Sequence, residues 1–213
     1  TYTGAVTLGV DTALTTTANG NVSFGGTVNG ANGLTVSTNG TGDTTFTGAV
    51  GGTAALTGLT VTTDVLTAGA IGLATNGAVS VTNTGASSIT GIISGAGVTL
   101  TKAGAGSLTL SGANNYGGAT TINAGSLVVS GSGTLGNTGS LLTISSATLD
   151  LQKALTVGSL LMSGTSPAIT NSSGTSSLTV SGVSTLAGAV TTSGTQTYTG
   201  AVTLGVDTAL TTT

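Results

Sequence analysis

The chain has 213 residues, of which 3% are charged, and a formal net charge of −3; an ordinary soluble domain carries about 25% charged residues. Its ionic groups are Lys102, Lys153, Asp11, Asp43, Asp64, Asp150 and Asp207, and it has no Cys, His, Trp, Glu or Arg. Two lysines cannot neutralise a phosphate backbone, which excludes nucleic-acid binding, and without cysteine there is no disulfide framework, zinc finger or thiol chemistry.

The rest of the composition argues for a folded all-β chain. There are 49 Thr and 38 Gly, and hydrophobic residues reach 38%. Thr and Val are strand formers, whereas disordered segments lack β-branched residues and strong helices need the Glu, Arg and Met that are nearly missing here. Alternating runs such as "AVTL", "NVSF", "SLTL" and "SLTV" are punctuated by Gly or Asn every few residues, the mark of many short strands joined by turns. No apolar run approaches the ~20 residues of a membrane helix, so no membrane insertion is expected, and no signal peptide is visible.

Taken in chain order, the first elements repeat. "YTGAV" at Tyr2, "FGGTV" at Phe24 and "FTGAV" at Phe46 are 22 residues apart, and the same register carries Gly4, Gly26 and Gly48, then Val6, Val28 and Val50. The pattern continues through Gly69 and Ile71, then Gly91 and Ile93. Tyr2, Phe24 and Phe46 are expected to form an aromatic ladder. The second half reads differently: "SLTLSG" at Ser107, "SLVVSG" at Ser126, "SLLTIS" at Ser140, "SLLMSG" at Ser159 and "SLTVSG" at Ser177, in steps of 19, 14, 19 and 18. The first motif then returns near Leu186 and Tyr198. Thr1–Thr17 and Thr197–Thr213 are identical, TYTGAVTLGVDTALTTT.

A period of about 18 to 22 residues suits a parallel β-helix, a β-solenoid of nine or ten coils in which like residues stack about 4.8 Å apart. Coils of about 22 residues are expected over 1–95 and of about 18–19 over 96–196. Residues 1–196 read as one complete unit and 197–213 as the start of the next identical one. Neither terminus looks capped, and exposed coils offer unpaired strand edges. The expected partners are therefore other copies of the same repeat, end to end, with lateral bundling into fibres.

From Thr101 to Asn137 the chain reads "TKAGAGSLTLSGANNYGGATTINAGSLVVSGSGTLGN". This stretch resembles the autotransporter-associated β-strand repeat of bacterial passenger domains. The family's places fall at Lys102, Gly104, Gly106, Leu108, Leu110, Gly112, Asn114, Tyr116, Gly118, Thr120, Thr121, Ile122, Gly125 and Leu127. "QTYTGAVTLGVDTALTTT" and "NVSFGGTVNGA" are similar to repeats of very large haemagglutinin-like surface proteins of Gram-negative bacteria. The resemblance implies a right-handed parallel β-helix, secreted to the cell surface or extracellular matrix, serving as stalk, adhesin or fibre and carrying no catalytic residues. Contacts with host-cell or surface carbohydrate are expected outside this segment.

Other chemistries find little support. The aspartates are dispersed, and Ser and Thr have no histidine base, so no catalytic, cofactor or metal residues are assigned and no cofactor is expected. "GTGD" (Gly40–Asp43) is a single fragment of a calcium nonapeptide that works only in tandem. TxT motifs at Thr1, Thr45, Thr60, Thr82 and Thr99 would suit an ice-binding ladder, but only Thr60 and Thr82 share the 22-residue step. The expected function is a structural repeat of a long surface fibre or adhesin stalk. A self-assembling extracellular filament or sheath subunit is the alternative, and an ice-binding solenoid a lesser one.

Overall fold

The computed structural model describes residues 1–205 and 207–213. Its strands are short and every pairing between them is parallel. They stack into three faces, named here in the order the chain meets them around a coil. Face one is a ten-stranded sheet running from Val22–Phe24 to Leu210–Thr212. Face three is an eleven-stranded sheet running from Thr12–Thr15 to Val202–Leu204. Face two, between them, is discontinuous. At the start it holds Val6–Thr7 on Val28–Asn29, continued by bridges from Val28 to Val50 and Val50 to Ile71. At the end it holds Ala154–Val157, Ser177–Val180 and Gln196–Tyr198. The result is the expected all-β solenoid of ten coils, about 4.8 Å apart.

Alternation decides which side chains turn inward. On face one, Leu108, Leu127, Leu149, Ile169, Val190 and Leu210 form one column, in steps of 19, 22, 20, 21 and 20 residues. On face three, Val36, Val61 and Val81 stack above Lys102, Ile122, Ile144 and Met162. These apolar residues are buried, except Leu210 at the last coil, and each fully buried aliphatic contributes roughly 1.5–3 kcal/mol. Tyr2, Phe24 and Phe46 form the expected ladder, with ring centroids 5.0 Å apart and planes within 11° and 5° of parallel.

The second half departs from its expectation. Coils there are not shorter, as the face-one steps show. The Ser-Leu motif misleads because it does not mark one face: Ser107 and Ser126 stand on face one, Leu141 and Ser159 on face three, and Ser177 on face two. Its steps of 14 and 18 therefore measure moves between faces as well as along the axis.

Two corners are lined by glycine. Between faces one and two a Cβ on Gly26 would stand 2.6 Å from the carbonyl oxygen of Gly4, and one on Gly112 2.1 Å from that of Gly91. Between faces two and three the same closeness joins Gly158 to Gly139, Gly182 to Gly158, and Gly200 to Gly182, at 2.1, 2.7 and 2.3 Å. Backbone from one coil thus lies where the next coil would put a side chain.

Candidate functional site

Polar side chains gather in three places: a buried seam at the corner between faces three and one, a side-chain patch on face two, and the outward columns of the two long sheets.

The seam begins where coils leave face three. Buried Thr38 donates to the Gly42 carbonyl at 2.6 Å and lies 2.9 Å from the hydroxyl of Thr63, which donates to the same carbonyl at 3.0 Å. One coil on, Asn83 takes the corner, its amide donating to the Gly85 and Ser107 carbonyls at 2.6 and 2.7 Å. Next, Lys102 sends its stem through an inward position otherwise held by Val or Ile. Its ammonium donates to the carbonyls of Ala103, Gly104 and Ala124 at 2.7, 2.8 and 3.2 Å. Burial lowers its pKa to about 8, because a charged amine loses hydration there. The three carbonyls are what hold it: a corner leaves backbone oxygens without ladder partners, and the amine supplies the donors.

On face two, residues 111 to 119 form no strand. Asn114 replaces it. Its side-chain oxygen accepts from the Ile93 N–H at 2.8 Å, in the coil before, and its amide donates to the Thr134 carbonyl at 2.8 Å, in the coil after. Thr134 returns a bond to the Asn114 carbonyl at 2.6 Å. Tyr116, fully buried, fills the core and shares a short hydrogen bond with the Thr120 hydroxyl. Burial pushes its phenol pKa well up, against the smaller opposing effect of that bond.

The aspartates do not converge. Four of them fasten one coil to the next: Asp11 accepts from the Gly33 N–H at 2.7 Å, Asp43 from the Val65 N–H at 3.2 Å, and Asp64 from the Thr84 hydroxyl at 2.7 Å. Asp150 accepts from the N–H and the hydroxyl of Ser172 at 2.9 and 2.6 Å, and from the Gln152 amide at 2.8 Å. Sequence reasoning had read them as turn formers; their partners stand 20 to 22 residues on, a signal present in the coil period. Among the described residues no group of three or more Asp, Glu, His or Cys comes together. Nor is any helix there long and apolar enough to cross a membrane.

Outside, hydroxyls line both long sheets. Face one presents Ser23, Thr45, Thr67, Ser88 and Thr109 in register. Face three presents Thr35, Thr60, Ser80 and Thr101, with Ser37, Thr62 and Thr82 beside the first three. The register differs from the spacing argument: Thr60 pairs with Ser80, and Thr82 with Thr62. The double column lasts three rungs and ends at Ala13 on one side and Ala103 on the other.

Compared with known proteins, residues 100–129 match the family model described as the passenger-associated-transport-repeat. No curated protein and no solved structure matches the chain. The matched stretch holds Lys102, Asn114 and Tyr116, the three side chains that build the seam and the face-two patch.

Proposed function

From the passenger repeat at residues 100–129 as premise, we propose that this chain is a structural length of a passenger β-helix displayed at the surface of a Gram-negative cell, serving as stalk or fibre and not as a catalyst. One observation carries the reading: the polar groups that could do chemistry are spent on joining coils. Lys102, Asn114 and four of the five aspartates each bond across a corner or to the neighbouring coil. A solenoid grows by adding coils without redesigning a core, which suits a part whose task is length. Few surface charges also mean little repulsion between neighbouring rods. An adhesin role belongs to the same reading, with the binding tip outside these residues.

The test is antibody labelling of intact producing cells, with an antibody raised against the folded chain. Labelling of unbroken cells, with rods resolved at the surface by electron microscopy, is the expected result. Labelling that needs lysis overturns the proposal.

A further inference from the structure

The two identical segments occupy different faces. In the first, Tyr2 bridges to Phe24 on face one, Val6–Thr7 lies on face two, and Thr12–Thr15 on face three. In the second, Tyr198 pairs with Val180 on face two, Val202–Leu204 lies on face three, and Leu210–Thr212 on face one. Every strand has moved on by one face. The inward set is unchanged: Tyr198, Val202, Leu204 and Leu210 pair with inward Val180, Ser184, Leu186 and Val190, as Tyr2, Val6 and Leu14 pair with Phe24, Val28 and Val36. The corner glycines follow. Gly4 lies in the ladder between faces one and two, while its equivalent Gly200 lies in the ladder between faces two and three. From Tyr2 to Tyr198 the chain passes nine further face-one strands, Val22–Phe24 to Val190–Thr192, and then one face more.

The first segment is covered by the coil that follows it. Val6 and Leu8 donate backbone N–H groups to Thr27 and Asn29, the Asn32 amide donates to the Leu8 carbonyl at 2.8 Å, and the Gly33 N–H finds Asp11. The second segment has the same residues and lacks that cover: Val202, Leu204 and Leu210 are 43, 59 and 51% exposed, and Asp207 is exposed.

We propose that Thr197–Thr213 is the docking coil for a second copy of this chain, taking the place on its residues 18–43 that the second copy's own Thr1–Thr17 holds, and that each copy is therefore turned about a third of a turn relative to the last. The inference rests on the structural reading above. Exchange of the coil is favoured over laying one intact copy on another, because direct stacking sets Asp11 of one copy over Asp207 of the other at about 5 Å, and like charges stacked so are destabilising. In the exchanged junction Asp207 instead receives the N–H of Gly33.

Cysteine cross-linking of the full chain tests this, and the sequence has no cysteine to confuse it. Ala209 is the equivalent of Ala13, which pairs with Thr35 on the outer side of face three. Neighbours on adjacent parallel strands stand about 4.8 Å apart, inside the range of a disulfide. Within one copy the two positions are eight coils apart, too far to join. The double variant Ala209→Cys/Thr35→Cys is expected to give, under oxidising conditions, a ladder at multiples of 19.8 kDa. A ladder from Ala209→Cys/Ala13→Cys in its place means stacking of intact copies, and one from Thr211→Cys/Thr1→Cys means docking without rotation; either overturns the proposal, as does a ladder from none of the three. Cell-surface labelling is independent of all these outcomes, so failure here leaves the stalk reading to its own test.

Discussion

In the first coils, from Val6 to Ile71, face two is held together by backbone: a two-strand pairing and a row of single bridges, with glycine at the corner and a Val or Ile turned inward at each coil. Around Asn114 the same face has no strand, and two side chains do the joining, Asn114 across the coil interfaces and Tyr116 within the core. Backbone pairing tolerates almost any outward residue, so coils built that way leave a loose sequence signature. Side-chain bridging requires one residue type at one place. That difference explains why the family model matches 100–129 and not the coils before it, although both regions share the architecture.

The largest test of the comparison strikes what the two regions have in common. Gly112→Val puts carbon 2.1 Å from the Gly91 carbonyl oxygen, where neither backbone can yield, and is expected to cost more than ~3 kcal/mol in urea unfolding. Gly139→Ala, with nothing within 4 Å, should change stability by less than about 0.5 kcal/mol. Equal effects would show that the corners are not close-packed.

Next come the side chains peculiar to the middle. Tyr116→Ala is expected to lose about 3–5 kcal/mol through the cavity it leaves. Tyr116→Phe should lose only about 1 kcal/mol, the hydrogen bond to Thr120. Asn114→Ala strands the Ile93 N–H and the Thr134 carbonyl and should cost about 1–3 kcal/mol. If Asn114→Ala were neutral, the coils would be held there by something other than this amide.

The seam predicts a pH dependence. Lys102 titrates near 8 in the folded chain, against 10.5 for the free side chain. Between those values the unfolded chain binds more protons than the folded one, so stability rises with pH from about 8 toward 10.5. Above about 10 the phenol of Tyr116, whose folded pKa is raised, acts in the opposite sense. Melting temperature followed from pH 7 to 10 should therefore climb for the parent chain and stay level for Lys102→Met. A climb that persists in the variant would assign the effect to another group. The smallest effect expected is a gain: the Thr44 hydroxyl is buried on face one without a partner, so Thr44→Val should stabilise by about 1 kcal/mol, read from the urea midpoint.

The parallel solenoid and its aromatic ladder could be read from sequence because Tyr2, Phe24 and Phe46 meet at one corner, where a constant loop keeps the period at 22. The Ser-Leu motif could not be placed, since an alternating strand fits any face and period two carries no information about which. Lys102, Asn114 and Tyr116 were legible as a motif but not as parts: nothing in their spacing says that the amine closes a corner or that the amide joins three coils. The aspartates looked idle for a related reason, because their partners are backbone groups, which a sequence shows at every position alike.

A beam with one weak side bends toward it. Face two, broken where the other faces run on, gives this rod such a side. Carrying the identical segment from face one to face two means that, in an array joined through it, the weak side points in three directions over three copies. Compliance averages around the axis, and a long thread made this way resists flow from every quarter with the same stiffness.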